Sequence, residues 1–331
     1  MKILVTGGLG YVGSHTVVEL MREGHEAMIA DNLVNAKVEV LEKIQCITGK
    51  EPVFYQIDVT EESKLQRLFS EHKLEGVLHF AGLKAVGESV DRPLDYYQNN
   101  ILSTIALAKV CLKHRVDKFV FSSSATVYGD QPSPLTEDME LGKTVNPYGE
   151  TKVMSERILT DVSKVNPTLA IASLRYFNPI GAHESGLIGE RSVGTPNNVM
   201  PLINRVAKGE QEKLRVFGGD YNTIDGTGVR DYIHVVDVAK AHVKVIEKIK
   251  RGVQIYNLGT GRGTSVLELI QAFEKTNGIS IPWEFTEKRA GDIAVSYANV
   301  DKAKLELGWK AERSIEDMVR DAWEFECQNP I

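Results

Sequence analysis

Residues 2–31 read KILVTGGLGYVGSHTVVELMREGHEAMIAD, and their pattern predicts how the chain begins to fold. Lys2–Thr6 is a short β-rich run. It leads into Gly7-x-x-Gly10-x-x-Gly13 and a helical pattern over residues 10–23, with Gly24 placed to end it. Glycines at this spacing permit a tight turn and bring the backbone close to a pyrophosphate, whose charge the helix N-terminus favours. A second strand over 27–30 ends on Asp31. A carboxylate there accepts hydrogen bonds from ribose hydroxyls and repels a 2′-phosphate, so the turn is expected to hold NAD rather than NADP.

Outward from this stretch the alternation continues. Strands are expected over 52–56, ending near Asp58, over 76–80, ending at Ala81-Gly82, and over 118–122, with a long amphipathic helix over 95–114. Strand and helix in alternation imply a doubly wound α/β fold, a parallel sheet with helices on both faces. After Arg175 the rhythm loosens, and Pro179, Gly181, Gly186, Gly189, Gly194 and Pro196 break up a long loop. Residues 1–176 are therefore expected to form a dinucleotide domain and 177–331 a smaller α/β domain, with a strand or two of the latter returning to the first sheet.

Composition narrows the partners. The 331 residues carry a net charge of −6. No basic field is available for nucleic acid or anionic lipid, so an anionic ligand must be met by a few local cations. Cys46, Cys111 and Cys327 are scattered, as in a reducing cytoplasm. No secretory leader pattern opens the chain and no run of 18 apolar residues occurs, so a cytoplasmic protein without a membrane partner is expected.

The chemistry is suggested by Tyr148 and Lys152. At i and i+4 of a helix they share a face, so the ammonium is expected to favour the ionised phenol and make it a base near neutral pH. Ser122-Ser123-Ser124 ends the fifth strand, where a hydroxyl can bond the oxygen that Tyr148 deprotonates. Together with the glycine turn these residues point to hydride chemistry on a carbinol. Asp58 is either an adenine contact or a turn residue before Val59-Thr60. Lys84, in Phe80-Ala81-Gly82-Leu83-Lys84, lies at the carboxyl edge of the sheet, where open α/β folds bind ligands. His79, His183 and His234 fit no zinc spacing, and no metal is expected.

Several stretches then carry a resemblance. They are Thr6-Gly7-Gly8-Leu9-Gly10-Tyr11-Val12-Gly13-Ser14-His15, His79-Phe80-Ala81-Gly82-Leu83-Lys84-Ala85-Val86-Gly87-Glu88-Ser89, Ser122-Ser123-Ser124-Ala125-Thr126-Val127-Tyr128-Gly129, Tyr148-Gly149-Glu150-Thr151-Lys152, Leu174-Arg175-Tyr176-Phe177-Asn178-Pro179 and Gly226-Thr227-Gly228-Val229-Arg230-Asp231-Tyr232-Ile233-His234. From residue 2 to about residue 323 the chain resembles the extended short-chain dehydrogenase/reductases, and within them the epimerases that act on carbon 4 of UDP-glucose and UDP-galactose. The glycine turn and the Tyr/Lys pair belong to the whole superfamily; the 81–89 and 230–234 stretches are more particular to the epimerases.

The resemblance implies a Rossmann-type fold, bound NAD, and catalysis by Ser124, Tyr148 and Lys152 through a transient 4-keto sugar. It implies cofactor contacts from Gly7, Gly10, Tyr11, Val12, Gly13, Asp31, Asn32, Asp58, Val59, Phe80, Ala81, Gly82, Lys84, Asn99, Ser122, Tyr148, Lys152 and Phe177. Substrate contacts would come from Lys84, Ser124, Tyr148, Asn178, Asn198, Val199, Val216, Phe217, Arg230, Arg289, Asp292 and Ser296, with Arg230 and Arg289 meeting the diphosphate and Phe217 the uracil. It also implies a homodimer through helix 95–114 and the helix carrying Tyr148. Ser296 stands where some members place a tyrosine that closes the hexose pocket, so 2-acetamido sugars are expected to enter unless Tyr297 fills the space. A 4,6-dehydratase would need an Asp-Glu pair after Ser124, where this chain has Ala125-Thr126. The remaining alternatives are a UDP-glucuronate 4-epimerase or decarboxylase, and a catalytically idle NAD-binding protein.

Overall fold

The computed structural model describes residues 1–191, 198–289 and 291–329. Gly194 and Pro196 of the expected loop lie outside them. In chain order the elements are β1 (Lys2–Thr6), α1 (Tyr11–Arg22), β2 (Glu26–Asp31), α2 (Val40–Thr48), β3 (Val53–Gln56), α3 (Glu62–Glu71), β4 (Gly76–His79), α4 (Val86–Asp91), α5 (Pro93–His114) and β5 (Lys118–Ser124). There follow α6 (Pro147–Val165), β6 (Ala170–Tyr176), β7 (Asn178–Ile180), α7 (Val199–Ala207), β8 (Leu214–Phe217), β9 (Val229–Arg230), β10 (Tyr232–His234), α8 (Val235–Lys248) and β11 (Gly252–Leu258). The last are β12 (Thr264–Ser265), α9 (Val266–Asn277), β13 (Trp283–Thr286), β14 (Val295–Ser296), α10 (Asp301–Leu307) and α11 (Ile315–Gln328).

The chain divides into two compact units. The first comprises residues 1–129, 141–175 and 239–256; the second comprises 130–140, 176–238 and 257–331. In the first, seven strands form one sheet in the order β11-β6-β5-β4-β1-β2-β3. The pairs β1–β2, β1–β4, β2–β3 and β4–β5 are parallel. Its strands read as continuous apolar runs because helices cover them on both sides. Leu4, Met28, Val77, Phe119 and Ile171 pack with Leu65 and Phe69 of α3, Leu107 of α5 and Leu159 of α6. Strand order reverses between β1 and β4, which opens a crevice at their carboxyl ends, the usual ligand position in such sheets.

The second unit holds three small sheets: β10-β7, β12-β9-β14 and β13-β8. Ile203, Leu214, Val216, Leu269, Phe273, Met318 and Val319 form its core. Ser265 and Ser314 open α9 and α11 with capping boxes, each serine accepting from the backbone N–H three residues on. Asp231, fully buried, ties this unit's backbone together by accepting from the N–H groups of Thr260 (2.7 Å), Gly261 (3.0 Å) and Ala298 (3.1 Å).

Candidate active site

The glycine turn is built for close backbone approach. Gly7 has φ +68, and a Cβ there would stand 2.7 Å from the Ala81 N–H nitrogen; one at Gly13 would stand 2.2 Å from the Gly7 carbonyl oxygen. Gly10 precedes α1 without a side-chain cap, and the N-terminus of a helix favours an anion. Asp31 ends β2 with only 7 % of its surface exposed. One of its oxygens accepts from Leu9 N (3.1 Å) and the other from Leu33 N (2.9 Å). Burial pushes its carboxyl upward against the hydrogen bonds from Leu33, Leu9 and Asn32. A chelating pair of ribose hydroxyls suits such a carboxylate.

Asp58 behaves as a turn residue. Oδ1 accepts from Thr60 N and Oγ1 (2.9 and 2.6 Å), and Oδ2 accepts from Asn32 Nδ2 (3.1 Å), which fixes Asn32 beside Asp31. Val59 behind it is buried. After β4, the Phe80 ring lies 4.7 Å from that of His242, tilted by 42°. Lys84 Nζ lies 5.9 Å from the centroid of Tyr11.

Asn100 holds this loop in place. Its Oδ1 accepts from Leu83 N (2.8 Å) and Asn99 Nδ2 (3.0 Å), while its Nδ2 donates to Leu83 O (3.0 Å) and Thr151 Oγ1 (3.1 Å). Gly82 is needed beside it, because a Cβ there would meet Asn100 Oδ1 at 3.1 Å. Sequence reasoning named Asn99 and passed over Asn100, although only the latter is buried. The signal was the helical period itself, which turns position 100 inward with Tyr96 and Ser103.

Helix α6 starts cleanly: Asn146 Oδ1 accepts from Gly149 N (2.8 Å) and Pro147 occupies the first turn. It brings Tyr148 and Lys152 to the end of β5, where Lys152 Nζ donates to the Ser122 carbonyl (2.6 Å). Ser124 Oγ accepts from Thr126 N (3.3 Å) and Oγ1 (3.0 Å), so its own proton is left to donate to the Tyr148 oxygen. Lys152 Nζ lies 5.7 Å from the Tyr148 ring centroid. The predicted triad of Ser124, Tyr148 and Lys152 is thus assembled in one place.

Its electrostatics differ from the expectation. Burial pushes the Tyr148 phenol up to about 12, with the Ser124 hydrogen bond opposing, and pushes the Lys152 ammonium down to about 8, with Glu156 opposing. Burial strips hydration from both charged forms, and this is the larger cause of each shift. The i, i+4 pair does not by itself make a phenolate at neutral pH; further positive charge beside the phenol is required.

His79, His183 and His234 each bond a local partner. His79 exchanges a hydrogen bond with Thr6 Oγ1 (2.8 Å), and burial holds its ring neutral, down at about 3. His183 Nδ1 is paired with Ser185 Oγ (2.9 Å). His234 accepts from Val236 N at Nδ1 (3.1 Å), which leaves Nε2–H to donate to Asp321 (3.0 Å). Among the described residues no group of three or more His, Cys, Asp or Glu side chains is arranged to hold a metal, and no helix is long and apolar enough to cross a membrane.

In the second unit a separate cluster collects cations. Arg230 Nη2 pairs with Asp292 Oδ1 (2.5 Å), and the Arg289 guanidinium lies 3.8 Å from the Phe217 ring centroid. Ser296 is in register with Arg230 on the adjoining strand. Val216 is buried and precedes Phe217 at the end of β8. Asn198 precedes α7, whose first residue is Val199, and donates to Glu190 (2.8 Å). Asn178 opens β7, with its N–H on the Asp231 carbonyl (2.9 Å), and Phe177 before it is buried.

A family model described as "NAD dependent epimerase/dehydratase family" matches residues 3–259. The chain belongs to that family. It is 54 % identical over 333 residues to the UDP-glucose 4-epimerase of Haemophilus influenzae, covering 100 % of this chain and 98 % of that one. It is 53 % identical to the UDP-glucose 4-epimerase of Bacillus subtilis, over 99 % of this chain and 98 % of the relative. The crystal structure of the Bifidobacterium longum UDP-glucose 4-epimerase in complex with NAD+ and UDP superposes with a TM-score of 0.96 at 51 % identity, covering 100 % and 99 % of the two chains. For an NAD-dependent family member, the crowded glycines, the start of α1 without a side-chain cap and the carboxylate of Asp31 at the end of β2 fit the cofactor.

Proposed function

We propose that the chain interconverts UDP-glucose and UDP-galactose by reversible epimerisation at hexose carbon 4, through a transient 4-keto sugar and with NAD retained. The observation that carries this reading is the convergence of Ser124, Tyr148 and Lys152 at the end of β5, in a chain half identical along its length to enzymes of that activity.

Gly7, Gly10, Gly13 and the first turn of α1 would hold the pyrophosphate of NAD, Asp31 with Asn32 the adenosine ribose, and Lys84 and Lys152 its nicotinamide half. NAD, once bound there, would supply the two-electron acceptor and a positive charge beside the phenol. Tyr148 takes the proton of the 4-hydroxyl, with Ser124 donating to the same oxygen so that the hydroxyl is oriented. Lys152 holds a positive charge over the phenol and is itself positioned by the Ser122 carbonyl. Inversion requires carbon 4 of the keto sugar to regain its hydride on the opposite face while Tyr148 returns the proton to the 4-oxygen, so the hexose must turn while its nucleotide stays fixed. Arg230, Arg289, Asn178, Asn198, Phe217 and Asp292 would supply that anchor. Incubating the protein with UDP-galactose tests the reading: UDP-glucose should form without free NADH, and no product despite bound NAD would reject it in favour of an idle binding protein.

Ser296 extends the proposal to the 2-acetamido sugars. Successive side chains on a strand point to opposite faces, and Tyr297 is turned toward Gly263, where a Cβ would meet its ring at 3.2 Å. That placement supports the reading in which Tyr297 does not stand in for the missing tyrosine. Turnover of UDP-N-acetylgalactosamine by the native chain and its selective loss in Ser296→Tyr are expected; activity on UDP-glucose alone would refute the point. A cytoplasmic homodimer completes the reading. The exposed Leu94 and Leu102 of α5 and Val165 of α6 support a dimer through these helices, which a monomer mass in light scattering at micromolar concentration would overturn.

A further inference from the structure

Tyr148, Lys152 and Glu156 stand at i, i+4 and i+8 of α6 and so form one stripe. Each meets one of the three serines that end β5. Tyr148 is bonded by Ser124, Lys152 donates to the Ser122 carbonyl (2.6 Å), and Glu156 Oε1 accepts from Ser123 Oγ (2.5 Å). The neighbouring stripe faces α5, where Thr151 meets Asn100 and Ser155 meets Thr104 (3.1 and 3.2 Å). Glu156 is only 5 % exposed and is gripped at two points by Arg175, Nη2 to Oε2 at 2.8 Å and Nε to Oε1 at 3.1 Å. The Arg175 guanidinium rests 4.7 Å from the Tyr128 ring centroid. A buried ion pair is a poor way to stabilise a core, where apolar residues of similar volume serve as well or better. Its place beside the reacting residues therefore calls for another explanation.

We propose that Glu156 is a positioning residue for the epimerase centre: it locks the Tyr148–Lys152 stripe in register with the end of β5 and supplies the negative charge that keeps Lys152 protonated. The proposal rests on the reading of the function above. The groups around Lys152 leave that task to Glu156. From α6 itself come Tyr148 and Glu156. His79 of β4 is neutral, β5 offers the Ser122 carbonyl and the Phe121 ring (4.9 Å), and Arg175 of β6 is turned onto Glu156. Tyr96 of α5 is bonded to Glu88 and Ala85 and stays protonated because burial raises its phenol. Glu156 is accordingly the negative group that opposes the burial of the Lys152 ammonium.

Glu156→Gln keeps the shape and removes the charge. In UDP-galactose turnover the alkaline limb of the kcat profile, where Lys152 loses its proton, should move about one pH unit downward, with kcat about twofold lower at pH 7, approaching tenfold lower near pH 9, and KM little changed. Should Arg175, left without its partner, prevent folding, Glu156→Gln/Arg175→Gln removes both buried charges and should show the same shift. Ultraviolet titration of the Tyr148 phenolate in the NAD-loaded protein, with Tyr148→Phe as the blank, reads the same coupling without any sugar. There the neutralised variants should need a higher pH to ionise the phenol, because Lys152 has lost its charge. A native chain that fails to turn over UDP-galactose would defeat the functional reading while leaving this titration to decide the role of Glu156. A limb and a phenolate titration unmoved in the folded variants would overturn the proposal.

Discussion

The dinucleotide cradle and the cation cluster of the second unit are built from different parts. Around Gly7 and Gly13 backbone packs on backbone, and a single added carbon would meet main-chain atoms at 2.7 and 2.2 Å. Beside Arg230 the material is side-chain tips: a Cβ at Gly228 would meet Arg230 Nη1 at 3.3 Å, and the guanidinium of Arg289 lies on the Phe217 ring. In the first unit Asp31, Asn100 and Glu156 are buried and hydrogen-bonded, each to its own neighbours, whereas Arg230 and Asp292 keep about a fifth to a quarter of their side-chain surface. A cofactor that must stay through every turnover suits the first construction. A nucleotide that arrives and leaves suits the second, where the cations hold partners that a diphosphate can replace.

The comparison breaks most visibly at Tyr148. Tyr148→Phe should lower kcat by about 10²- to 10⁴-fold, the usual worth of a general acid/base, while thermal unfolding and retained NAD stay as they were. Equal loss of NAD would mean the hydroxyl belongs to the cradle rather than to the chemistry. Gly13→Ala should cost roughly 1–3 kcal/mol of stability through overpacking and release the dinucleotide, measured in the supernatant of denatured protein. Gly228→Ala should do neither, because a guanidinium tip can move aside; a similar loss of stability there would erase the contrast. Arg230→Gln should raise KM for UDP-galactose by about 10- to 100-fold, the worth of a charged hydrogen bond, without changing NAD content.

The glycine turn and the Tyr/Lys spacing were legible because both are local: a strand, a turn and one helical face carry their meaning within 30 residues. Lys2–Thr6 and Pro93–His114 lie where the pattern put them, the latter starting two residues earlier because Pro93 suits the first turn of a helix. Helices α2 and α3 went unseen. Neither has a side-chain cap, and α2 buries only Ile44 while α3 buries only Leu65, Leu68 and Phe69, so their apolar signal is thin. Strand β11 lies beside β6 at the edge of the first sheet although about 80 residues separate them, and no local pattern announces that pairing. Arg175 and Asp231 were visible only inside stretches of resemblance. Their roles depend on Glu156, Thr260 and Ala298, which only folding brings near.

The smallest effect tests the cost of burying Lys152. Its ammonium titrates near 8 in the fold against 10.5 as an ordinary lysine, so between these values the unfolded chain holds a proton that the folded chain has released. Stability then rises with pH across that window, and the penalty is fully present only below pH 8. Lys152→Met removes the group from both states. Between pH 8 and 9 the native chain should therefore gain on the variant by about 1 kcal/mol, the value of one pKa unit, in urea unfolding at each pH. Arg230→Gln should leave the slope of stability in that interval alone, since a guanidinium is protonated throughout it. Parallel slopes for the native and Lys152→Met proteins would mean that the ammonium stays hydrated in solution, and the contrast between a dry cradle and a wet anchor would lose its strongest support.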